Sequence, residues 1–193
     1  MAREFEEKIV LGSCEELAAV EERLRELGAT LEAEVYEEDT YYQHPCRDFA
    51  ETDEALRLRV ARGRVELTYK GPKRVVEGAK EREEYTVTVD SGAAMARILE
   101  KLGFKPVATV RKRRRYYSLP GLAVVSLDEV EGLGCFVEIE YRGSDPSKAV
   151  DTVKAIESRL GLESKPKTVK SYLELLLEKY AGGASRPGGF RAH

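Results

Sequence analysis

Residues 55–60 read Ala55-Leu56-Arg57-Leu58-Arg59-Val60. In an extended chain successive side chains point to opposite faces, so Arg57 and Arg59 share one face and the leucines share the other. The same two-sided pattern recurs outward from this stretch. Lys70 follows Glu66 and Thr68, opposite Leu67 and Tyr69. Asp128 shares a face with Ser126, and Glu138 and Glu140 oppose Val137, Ile139 and Tyr141. At the start of the chain Glu4, Glu6 and Lys8 oppose Phe5 and Ile9. One wet face is routine for an antiparallel strand. Here strand after strand puts full charges where Ser or Thr would suffice.

Helical stretches punctuate the strands. Ser13 and Glu16 form a capping box ahead of Leu17, Val20, Leu24 and Leu27, with Gly28 as the stop. Met95, Ile98, Leu99 and Leu102 make a second apolar stripe ending at Gly103, and the segments from Glu4 and from Glu81 read as a strand–helix unit used twice. A third helix begins at Ser144-Asp145-Pro146, and a fourth covers roughly 169–180. The expected architecture is α+β, with about eight strands and flanking helices. It is one domain over 1–180 followed by a flexible tail over 181–193.

Such strands can form an open sheet, or close into a barrel that turns its charged face inward. Cations gathered out of water repel one another unless counter-charges accompany them. An interior lined by Arg57, Arg59 and Lys70 therefore makes sense only if a polyanion and metal ions complete it.

Composition narrows the chemistry. The 193 residues include 35% charged residues, yet the net charge is only -3, which opposes a general nucleic-acid binder. No apolar run is long enough to cross a membrane, and the N-terminus lacks an apolar signal segment, so the cytoplasm is the expected compartment. With two histidines, a Ser-His-Asp triad or His-bound zinc is not expected, and any metal must rest on carboxylates, which suit hard ions such as Mg²⁺ or Mn²⁺. Cys14, Cys46 and Cys135 are widely spaced without a CxxC pair, so reduced thiols are expected. The basic run Arg111–Arg115 alternates in direction. One parity points Lys112 and Arg114 inward, the other Arg113 and Arg115, and the remaining cations meet acids outside. In the strand after Glu81, alternation puts Arg82 and Glu84 on the polar face and buries Tyr85, Val87 and Val89, whereas alignment with the opening strand favours Glu81 and Glu83. Alternation is preferred because burial of three apolar residues outweighs a weak repeat.

These motifs resemble one family. Glu4, Glu6 and Lys8 fit the ExExK signature of the CYTH superfamily, the triphosphate tunnel metalloenzymes. Asp39–Pro45 (DTYYQHP), Leu56–Arg59 (LRLR), Thr68–Pro72 (TYKGP), the basic run with its tyrosines and Leu127–Glu140 follow in the expected order. Together they resemble the branch holding class IV adenylate cyclases of the CyaB type. The resemblance implies a closed eight-stranded antiparallel barrel, a triphosphate tunnel. Arg57, Arg59, Lys70, Arg82, Lys112 and Arg114 would bind the triphosphate, and Glu4, Glu6, Asp128, Glu138 and Glu140 would hold Mg²⁺ or Mn²⁺. Lys8 and Lys70 would act in catalysis. The implied partner is ATP or a polyphosphate, and a homodimer is a further implication of the family. Two reactions share such a tunnel: cyclisation of ATP to cyclic AMP and pyrophosphate, and hydrolysis of tripolyphosphate, thiamine triphosphate or a nucleotide. A module that binds polyphosphate without turnover is the third reading.

Overall fold

The computed structural model describes residues 5–72, 74–76, 79–81, 83–143 and 145–182. Glu4, Arg82 and the tail from 183 onward lie outside the described residues.

Among the described residues four α-helices and eleven strands follow one another. They are β1 (Glu6–Val10), α1 (Glu16–Glu26), β2 (Thr30–Gln43), β3 (Ala55–Ala61), β4 (Arg64–Lys70), β5 (Arg74–Val76), β6 (Ala79–Glu81), β7 (Glu84–Val89), α2 (Gly92–Lys101), β8 (Lys105–Leu119), β9 (Ala123–Val130), β10 (Gly134–Tyr141), α3 (Ala149–Arg159), β11 (Lys167–Thr168) and α4 (Tyr172–Gly182). Among the described residues β5 and β6 pair with each other, and the other nine strands form one antiparallel sheet in the order β11-β1-β10-β9-β8-β2-β3-β4-β7.

The sheet is not closed, and it holds nine strands where a closed barrel of eight was expected. The reason lies in β1. One of its edges pairs with β10 and the other with the short β11, so no edge is left for β7. Ser171 then leads directly into α4, whose Tyr172 and Leu176 pack against Val110, Val130 and Phe136. These three share the charged face of the sheet, because they alternate with residues of the outer core.

The outer face carries the main core. Helices α1 and α3 cover Ile9, Val125, Leu127, Val137 and Ile139 with Leu17, Leu24, Val153 and Leu160. Each fully buried aliphatic side chain of this kind contributes about 1.5–3 kcal/mol. Helix α2 covers Leu56 and Leu58 through Leu99 and Met95. Gly28 and Gly103 end α1 and α2 with φ of 75° and 90°, the left-handed conformation that favours glycine.

Local details depart from the sequence reading in three places. Glu16 Oε1 accepts the backbone N–H groups of Gly12 and Ser13, but α1 begins at Glu16 and the Ser13 hydroxyl does not cap it. On β7, Glu84 lies on the face of Lys70 as alternation predicts. Tyr85 and Val87, however, remain 61% and 56% exposed, because β7 is an edge strand and the α2 core reaches only Val89. Cys14 and Cys135 are not reduced thiols but a disulfide, with Cα atoms 5.2 Å apart, which ties the turn before α1 to β10. Sequence separation of 121 residues hid the pair, since only the packing of α1 on the sheet brings them together. Closing so long a loop restricts the unfolded chain, so Cys14→Ser should lower unfolding free energy by about 2–4 kcal/mol. Urea denaturation with and without reductant checks this; unchanged midpoints would show that the bridge contributes nothing.

Candidate active site

The concave face of the sheet, α4 and the segment 49–55 enclose a cavity of about 840 Å³. Its charged side chains reach it by strand alternation. Strand β3 offers Arg57 and Arg59, β8 offers Lys112 and Arg114, β4 offers Lys70, and β1 offers Glu6 and Lys8. Glu138 of β10 and Asp39 of β2 also line it. The basic run is thus divided by parity. Lys112 and Arg114 turn inward, while Arg111 pairs with Glu38, Arg113 with Glu34 and Arg115 with Glu21 outside.

Inside, every one of these cations has an acidic neighbour. Arg59 grips Asp39 through Nε and Nη2, both 2.6 Å from a carboxylate oxygen, and reaches Glu37 at 3.0 Å. Lys112 lies 2.9 Å from Glu37 and 3.2 Å from Asp39. Arg114 forks onto Asp128 and meets Glu138 at 2.5 Å; Glu138 also lies 3.3 Å from Lys8. Lys70 pairs with Glu84 at the rim, and Arg57 stands off Asp39 at 3.9 Å.

Burial alone would push these carboxyl groups toward neutrality, but the surrounding cations more than reverse it. Arg114, Lys8 and Lys112 hold Glu138 down to about 2, and Arg59, Lys112 and Arg57 hold Asp39 well below the ordinary aspartate value. In return Asp39 and Glu37 raise Arg59 against its own desolvation.

The remaining expected ligands fall differently. Glu6 faces Glu140 across β1 and β10, but Glu140 is not on the cavity lining and pairs with Arg142 at 2.8 Å. Asp128 is fully buried behind Arg114 and does not line the cavity. Three contributors escaped the sequence reading as site residues, Glu37, Asp39 and Tyr172. The run Glu37-Glu38-Asp39 puts acids at both parities, so nothing marked Glu37 as inward, and no short motif marked Tyr172.

Among the described residues no three acidic, histidine or cysteine side chains converge into a ready cage. Magnesium, however, is commonly held by one or two carboxylates together with substrate phosphates. Glu6 and Glu138, both oxygen donors on the cavity wall, fit an ion shared in that way.

The sequence profile of the CYTH domain matches residues 2–172. The chain is 40% identical over 159 residues to MJ0240 of Methanocaldococcus jannaschii, a candidate adenylate cyclase by name, covering 81% of this chain and 90% of that protein. It is 27% identical to adenylate cyclase CyaB of Aeromonas hydrophila, over 72% of this chain and 71% of that one. The solved structure of PH1819 from Pyrococcus horikoshii OT3 superposes with a TM-score of 0.75 at 41% identity, covering 91% of this chain and 99% of that one.

The depressed Asp39 pKa fixes the sign of an acid dependence. Ionised Asp39 contributes stability that is complete above its unfolded value, near pH 4, and is lost as pH falls through its lower folded value. Thermal melts from pH 6 down to pH 2 should show this slope in the native protein and a weaker one in Asp39→Asn. Identical slopes would remove Asp39 from the network.

Proposed function

Because the chain belongs to the CYTH domain family, we propose that it is a divalent-metal-dependent enzyme of the class IV adenylate cyclase type, converting ATP to cyclic AMP and pyrophosphate. The observation that carries this reading is the convergence of Arg57, Arg59, Lys112 and Arg114 on one cavity. Guanidinium forks match phosphate oxygens in pairs, and ammonium groups add point charge. A volume of about 840 Å³ suits a small organic ligand bearing a triphosphate. The aliphatic side chains of Val107, Leu173 and Leu177 on its wall suit an organic group.

In this reading the arginines and Lys112 exchange their carboxylate partners for phosphate oxygens, and charge building on the departing pyrophosphate meets fixed cations. Lys8 and Lys70 flank that set as the catalytic ammonium groups. The family resemblance adds Arg82 to the phosphate cradle. Glu6 and Glu138, with Glu4 by the same resemblance, would hold Mg²⁺ or Mn²⁺, which supplies neutralisation of the phosphate charge. The 3′-hydroxyl oxygen bonds to the α-phosphorus, the bond to pyrophosphate breaks, and the hydroxyl proton is released. Positioning and charge account for such chemistry without histidine or a protein nucleophile.

A second reading, hydrolysis of a triphosphate, draws support from the open sheet. The rim bearing Lys70, Glu84 and the exposed Tyr85 gives water a route to the phosphates.

Phosphorus NMR of the protein with Mn²⁺ and ATP, or with tripolyphosphate, separates the readings. Cyclic AMP with pyrophosphate is expected. Orthophosphate formed together with ADP from ATP, or with pyrophosphate from tripolyphosphate, and without cyclic AMP, would replace the cyclase with a triphosphatase. A melting-temperature rise without products would leave a binding module. Arg57 has the loosest internal ion pair of the cradle, so Arg57→Ala should fold normally and weaken ATP binding by roughly 10–100-fold, the loss of a charge-assisted contact. Unchanged affinity in calorimetry would take Arg57 out of the site.

A further inference from the structure

Tyr172 begins α4 and is 6% exposed. Its hydroxyl donates to Asp128 Oδ2 at 2.6 Å, and the same carboxylate receives the Arg114 fork. The Lys8 ammonium sits 4.3 Å from the centroid of its ring, and that of Lys112 sits 5.5 Å from it. The ring is itself wedged against Phe136, centroids 4.9 Å apart and tilted by 64°. One side chain therefore bears on three cations of the cavity wall.

We propose that Tyr172 is a positioning residue for phosphate binding, orienting Lys8 and Lys112 through its ring and Arg114 through Asp128. The proposal rests on the triphosphate reading above. Lys8 is pinned further by donating to the Lys170 carbonyl at 3.0 Å, two residues before the tyrosine, so the start of α4 and the cation heads form one unit. Asp128 is fully buried beneath Arg114 and Tyr172, which take its oxygens, and it does not line the cavity. Its place is that of an anchor for the guanidinium. Long cationic side chains lose rotamer freedom when they grip a ligand. Holding them in advance avoids a weakening of roughly twofold to tenfold for each head so fixed. The ring face attracts an ammonium without neutralising its charge, which leaves that charge to act on phosphate.

The test is calorimetric titration of tripolyphosphate into the full chain in the presence of a chelator, so that no metal contributes. Tyr172→Phe keeps the ring and removes the link to Asp128, and should weaken binding roughly threefold to tenfold. Tyr172→Leu removes the ring as well and should weaken it further. Leu176→Ala loosens the same helix without touching a cation; it should lower the melting temperature while binding stays within about twofold of native. Native affinity in Tyr172→Phe, measured on protein shown by circular dichroism to be folded, would overturn the proposal. So would a Leu176→Ala loss as large as that of Tyr172→Phe, because seating of α4 would then explain both. Absence of binding to the native chain would overturn the triphosphate reading itself, a result distinct from variants that bind like the native chain.

Discussion

Arg59, Lys112 and Arg114 stand on the same concave face as Glu37, Asp39 and Glu138, and each cation is held by at least two carboxylate contacts or a fork. The rest of the molecule depends on this mutual neutralisation. Removing so many charges from water is costly, and only close pairing with further hydrogen bonds offsets the loss. Without it the inward face could not tolerate its own arginines. With it the strands can curve around a polar interior while apolar residues of the opposite parity build an outer core under α1, α2 and α3.

The last helix completes that arrangement from the inside. Its Leu176 closes an apolar floor with Val110, Val130 and Phe136, and its Tyr172 enters the charged region. The short β11 that precedes it takes the free edge of β1. The same segment thus keeps the sheet open and caps the cavity. An open sheet leaves edge strands, and β7 carries the exposed Tyr85 and Val87 that result.

Strand faces were legible in the sequence because the side-chain period of two leaves no choice once an apolar set is present. Leu56 and Leu58 fix where Arg57 and Arg59 go, and Ile139 fixes Glu138. The α+β class followed from the same alternation combined with helical stripes. Parity inside Arg111–Arg115 was ambiguous, since five consecutive cations contain no apolar marker; the pairing of Arg114 with Asp128 across β8 and β9 supplies it. The open sheet, Cys14–Cys135 and Tyr172 were not legible for a shared reason. Each depends on contacts between segments far apart in the chain, which no local pattern encodes. Glu37 was lost to a neighbouring glutamate.

In the proposed reading, the ion pairs of the self-neutralised cavity are what a triphosphate replaces. On that reading the phosphate oxygens would satisfy the arginine forks together, and the displaced carboxylates would share a divalent ion with the phosphates. A crystal structure of the protein with tripolyphosphate and Mn²⁺ tests this most directly. The account predicts phosphate oxygens on Arg57, Arg59, Lys112 and Arg114 and the metal between phosphate and glutamate. Phosphate bound elsewhere, with the Arg59–Asp39 and Arg114–Asp128 pairs intact around an empty cavity, would contradict it.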